Sequence, residues 1–100
     1  MQISQANIES IRELCKNYGV KTFSVFGSVT GEGFHDGSDI DFVVDFNEDD
    51  PFKYADSYFQ LKEALEELLK RQVDLVEERA IKNKFFKKEL DETKIPIYGQ

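Results

Sequence analysis

The sequence predicts a small α/β fold of the α+β type, a mixed β-sheet packed on one side by helices. Three observations predict it: a strictly alternating segment over residues 39–46, two shorter β-rich runs on either side of it, and three stretches with helical apolar spacing. One hundred residues, of which 40% are hydrophobic, support one domain spanning residues 1–100 and one core.

Ile8, Ile11, Leu14 and Cys15 recur at helical spacing between Ser4 or Asn7, either of which can cap the start, and Gly19, which can close the end. Residues 22–26 are β-branched and aromatic and stop at Gly27, so a strand delivers the chain into a loop. That loop, residues 27–38, contains four glycines and no apolar periodicity, with room for a short helix after Ser28. Over residues 39–46, Ile40, Phe42, Val44 and Phe46 take one face of a strand, and Asp39, Asp41, Val43 and Asp45 the other. The polar stretch 47–51 reads as a turn. Tyr54, Tyr58, Leu61, Leu65, Leu68 and Leu69 then mark an amphipathic helix ending near Lys70. Residues 73–76 form a short strand, residues 81–90 a last helix, and residues 95–98 an extended segment whose Pro96 places it at a sheet edge or outside. Periodicity does not set the strand order.

Thirteen basic against twenty acidic residues leave a net charge of −7, and the one basic tract is short, residues 82–88. Such a surface repels a phosphate backbone, which argues against direct nucleic-acid binding. A nucleotide chelated by a divalent cation differs, because the cation brings positive charge into an acidic site. Cys15 has no partner for an internal disulfide, no segment has the length of a membrane span, and the first residues do not resemble a secretion signal, so a cytoplasmic location is expected. Cys15 itself reads as a small buried hydrophobe.

Asp39 and Asp41 project from one strand face with Cα atoms roughly 6.6 Å apart, so two carboxylates aim at one spot. Hard divalent cations take oxygen ligands, and an Asp-x-Asp pair on a strand can bridge the ions of a phosphoryl-transfer site. Asp74 lies inside the apolar run Val73-Asp74-Leu75-Val76, where an unpaired buried carboxylate would be costly, so it is expected to point into the site as the natural third carboxylate. Upstream, Gly27 permits close backbone approach to a phosphate, and Ser28 offers a hydroxyl and an N–H. Alone, an Asp-x-Asp pair reads as a solvated strand face and Gly-Ser as an ordinary turn. Their combination is specific: Gly27-Ser28, nine intervening residues, Ser38-Asp39-Ile40-Asp41, then a later strand bearing Asp74.

With these motifs the chain resembles the minimal nucleotidyltransferases of the DNA polymerase β superfamily, the MNT-type antitoxins, and the resemblance extends to the 40–46, 73–76 and 95–98 segments. It implies transfer of a nucleotide from a triphosphate, ATP in most members, with Mg²⁺ or Mn²⁺ held by Asp39, Asp41 and Asp74. Asp74 would also align or activate the acceptor hydroxyl, and Gly27, Ser28 and Ser38 would bind the nucleotide. The implied partner is a HEPN-domain toxin neutralised by AMP attached to a tyrosine, and a homo- or hetero-oligomer is compatible with that reading. In one place the pattern departs: Gly31 stands where the family's loop carries an arginine, and Lys21 or Lys53 are the cations available to compensate.

Two other functions compete. A binding module could keep the fold and block a HEPN toxin without catalysis; a small-molecule nucleotidyltransferase would need an acceptor pocket for which one hundred residues leave little material. His35 reads as a loop residue that faces solvent or the site, Asp36, Asp45, Glu77 and Glu78 as surface charges with Asp45 able to lie at the rim of the site, and the aromatic residues between 52 and 59 as core rather than a base-stacking platform, a partner-binding face being a further option.

Overall fold

The computed structural model describes residues 3–27 and 39–99. Their order is α1 (Gln5–Asn17), β1 (Val20–Phe26), β2 (Ile40–Phe46), α2 (Pro51–Leu69), β3 (Val73–Glu77), a 3-10 turn (Glu78–Ala80), α3 (Lys84–Thr93) and β4 (Ile95–Tyr98). The sheet runs β3-β2-β1-β4, with β2 and β3 parallel and the other two pairings antiparallel. It is therefore mixed, as the sequence predicts.

Local chemistry explains the boundaries. Ser4 caps α1 by accepting from the Asn7 N–H. The polar stretch read as a turn leads from β2 into α2: Asp50 caps the helix by accepting from the Phe52 and Lys53 N–H groups, and Pro51 opens the first turn, where its missing N–H has no consequence. The last helix begins three residues later than expected because Asn83 caps it, accepting from the N–H groups of Phe85 and Phe86. Residues 95–98 form an edge strand, in keeping with Pro96.

Phe23, Phe42, Phe46, Ile11, Leu61 and Leu65 are fully buried between the sheet and the pair α1 and α2, and Cys15 lies with them as expected. Burial pushes the Cys15 thiol pKa up to about 12, so it is an inert core group. The one-sided helix layer is the part of the predicted architecture that the structure amends. α3 packs on the second face, where Phe86 meets Phe26 edge-to-face at 6.2 Å and Leu90, Val43 and Ser24 are buried. An alternating strand predicts a wet second face, but Val43 on that face of β2 is buried, as is Leu90 on α3.

Candidate active site

β1 ends at Gly27, whose φ of +78° suits a residue without a side chain. A Cβ built there would run into Oδ2 of Asp41. The loop backbone thus lies directly against a carboxylate. Phe26 is paired with Asp41 across β1 and β2, and Asp41 is paired with Asp74 across β2 and β3. Residues directly opposite in neighbouring strands share a face about 4.8 Å apart, so Asp41 stands between the Gly27 turn and Asp74. Asp39, exposed at the entrance to β2, lies two residues before it on the same side.

The electrostatics follow from this placement. Asp41 is half-buried, and its carboxyl is held above its ordinary range first by burial and then by the charges of Asp74 and Asp39. Three like charges thus act on one spot, the environment a hard cation would relieve, and the donors are the oxygens such a cation takes. Among the described residues no three His, Cys, Asp or Glu side chains stand close enough together to hold a metal ion. Mutual repulsion between uncompensated carboxylates opposes such convergence. The donor set fits a divalent ion in charge and chemistry.

The described residues bring together Gly27, Asp39, Asp41 and Asp74; Ser28, Ser38, Gly31, His35 and Asp36 lie outside them. Two expectations are corrected. Asp74 is exposed, because β3 is an edge strand with that face open, so its place in an apolar run needs no special compensation. Lys21 and Lys53 do not replace the absent arginine: Lys21 lies six residues up β1 from Gly27, roughly 20 Å along the strand, and Lys53 in the first turn of α2, beyond the far end of β2.

Beside Gly27 opens a cleft of about 290 Å³ lined by Phe26, Gly27, Phe86, Glu89, Leu90 and Thr93. Its wall, α3, is tied down by Glu78, which accepts from Thr22 at 3.3 Å and from Lys87 at 3.3 Å and pairs with Lys94 at 3.6 Å. Asp91 pairs with the same two lysines. Glu78 is therefore a clamp between β1 and α3 where the sequence suggests a surface charge.

Asp45 is likewise engaged. Arg79 reaches it at 2.8 Å, donates to the Glu48 and Phe46 carbonyls at 3.0 Å, and lies 4.4 Å from the centroid of the Tyr54 ring. Arg79→Ala is expected to lower stability by about 1 kcal/mol, a modest value because the pair is partly exposed; urea denaturation measures it.

The polymerase beta nucleotidyltransferase family model matches residues 9–100. The chain belongs to that family. Among nucleotidyltransferases of this group, the protein adenylyltransferase MntA of Thermococcus cleftensis is 42% identical over 82 residues, covering 76% of this chain and 79% of the relative. A solved minimal nucleotidyltransferase, itself so named provisionally, superposes with a TM-score of 0.75 and 34% identity over 92% of this chain and 90% of that one. The fold also recurs in the structure of a tri-AMPylated Shewanella oneidensis HEPN toxin in complex with an MNT antitoxin, at a TM-score of 0.68 and 22% identity over 100% of this chain and 74% of that one. No helix among the described residues is long and apolar enough to cross a membrane.

Proposed function

We propose that this nucleotidyltransferase moves AMP from ATP to a hydroxyl of a partner protein, a tyrosine of a HEPN-type toxin, and so acts as its antitoxin. The observation that carries the chemistry is the pairing of Asp41 with Asp74 on adjacent parallel strands, beside Asp39 and against the Gly27 turn. Identity to a relative named protein adenylyltransferase supports AMP as the group and protein as the acceptor. The fold shared with an antitoxin complexed to a HEPN toxin supports the partner.

Asp39 and Asp41, with Asp74, would hold Mg²⁺ or Mn²⁺, which when bound supplies Lewis-acid stabilisation of charge developing on the phosphates. Gly27 lets the backbone approach the triphosphate, and Ser28 and Ser38 would add donors. The acceptor oxygen attacks the α-phosphorus, the bond to the β-phosphate oxygen breaks, pyrophosphate leaves, and the hydroxyl proton passes to Asp74 or to water. Exposure of Asp74 at the sheet edge suits that role, because an acceptor carried on another protein must come from outside.

Incubation with ATP labelled at the α- or the γ-phosphate tests the reading. Label should enter the partner from the α position alone; entry from γ would mean phosphoryl transfer and overturn it. Asp74→Asn should reduce α-label transfer roughly a hundredfold, the scale of a lost proton acceptor, with melting temperature unchanged or raised. Full transfer by that variant would remove Asp74 from the site.

A further inference from the structure

The cleft beside Gly27 stands on the same face of the sheet as the carboxylates. Phe26, which is paired with Asp41 across β1 and β2, closes one side of it, and Phe86, Glu89, Leu90 and Thr93 of α3 close the other. The aromatic residues of α2 lie on the opposite side of the sheet and are divided rather than all core: Tyr54 and Tyr58 turn inward, while Phe52 and Phe59 are exposed.

The lining has two kinds of surface. Phe26, Phe86 and Leu90 make its walls apolar; the two rings meet edge-to-face at 6.2 Å, and Phe86 keeps 39% of its surface open. A ring braced by one neighbour and open elsewhere is a stacking surface for a flat heterocycle. The polar groups are acceptors. The Thr93 hydroxyl gives its proton to the Glu89 carbonyl at 2.8 Å and has only lone pairs left to offer. The Glu89 carboxylate is in no ion pair among the described residues, and no lysine or arginine among them lines the cleft.

These features decide which part of a nucleotide fits. A phosphate in the cleft would meet a carboxylate with no cation to offset it, so the triphosphate belongs outside, on the Gly27 turn. The neutral aromatic end suits both surfaces: its ring stacks on Phe86, and an exocyclic amino group supplies the donor that Glu89 and Thr93 lack. A volume of about 290 Å³ is at the small end of ligand sites, enough for a base and too little for a whole nucleoside triphosphate. Position agrees. Gly27 both lines the cleft and lies against Oδ2 of Asp41, which puts cleft and carboxylates within reach of one nucleotide. Asp74 stands on the other side of Asp41, so the β3 edge stays open for the acceptor.

We propose that this cleft is the base subsite, where Phe86 stacks on the adenine ring and Glu89 and Thr93 accept from its amino group. This rests on the adenylyltransferase reading and adds to it the residues that recognise the nucleotide.

Binding of α,β-methylene ATP, which cannot release AMP, separates the cleft from the chemistry. In titrations with Mg²⁺, wild type should bind this analogue about tenfold or more tighter than inorganic triphosphate, which offers phosphates without a base. Phe86→Leu keeps apolar bulk and loses the ring; it should weaken the analogue about tenfold and leave inorganic triphosphate unaffected. Glu89→Ala should weaken the analogue about tenfold without weakening its counterpart built on unsubstituted purine, which has no amino group. Equal affinity of wild type for the analogue and inorganic triphosphate, or undiminished affinity for the analogue in either variant, overturns the base subsite. So does a parallel loss of both ligands by Phe86→Leu, which would make Phe86 a support for the Gly27 turn. The expected binding pattern in a protein that transfers no AMP to a HEPN-domain partner would instead refute the adenylyltransferase reading and leave the subsite standing.

Discussion

Replacing Asp41 with asparagine is expected to reduce AMP transfer about a thousandfold or more, the effect of losing several kcal/mol of metal-assisted charge stabilisation, while raising the melting temperature of the metal-free protein. The two effects share one cause. Burial and the charges of Asp74 and Asp39 hold the Asp41 carboxyl above its ordinary value, so the folded protein binds that proton more tightly than the unfolded chain. Above the folded pKa the ionised group therefore disfavours folding, and the penalty is relieved as pH falls towards the ordinary carboxylate range. Asparagine removes the penalty at neutral pH and flattens that part of the pH–stability profile. Thermal melts of both proteins between about pH 4 and pH 8, where a raised carboxyl titrates, check the sign: a variant less stable than wild type at neutral pH would make Asp41 a structural residue.

Gly27→Ala is expected to damage the fold and the chemistry together. Alanine at a φ of +78° carries about 1–2 kcal/mol of strain, and its methyl would displace the Asp41 carboxylate that now occupies the space. We expect about 2–3 kcal/mol of lost stability, and about a hundredfold or greater loss of transfer, because a catalytic group moved by an ångström loses that much. Chemical denaturation and initial rates measure the two. An alanine variant with wild-type rates would mean that the loop does not approach the nucleotide.

The alternating segment over β2 carried most of what was legible. It placed Phe42 and Phe46 in the core and aimed Asp39 and Asp41 together, because period-2 alternation leaves no freedom in which face each side chain takes. The relation of Asp74 to Asp41 was suggested only by its place in an apolar run and by the family resemblance, since pairing register between strands separated by a helix is a tertiary fact. For the same reason Asp74 seemed a costly buried charge when it stands on an open edge. Glu78, Asp45 and Arg79 look like ordinary surface charges in sequence; their roles as clamps come from partners 9 to 56 residues away. Helical spacing grouped Phe52 and Phe59 with Tyr54 and Tyr58, although α2 is wide enough to bury one pair and expose the other.

The most direct test of the assigned site is the intact mass of a HEPN-domain protein from the same genome after incubation with this chain, ATP and Mg²⁺. Wild type should add one or more AMP masses to a tyrosine, with none added by Asp41→Asn or in the presence of a chelator. An unmodified partner with wild type, or undiminished modification by Asp41→Asn, would contradict the account.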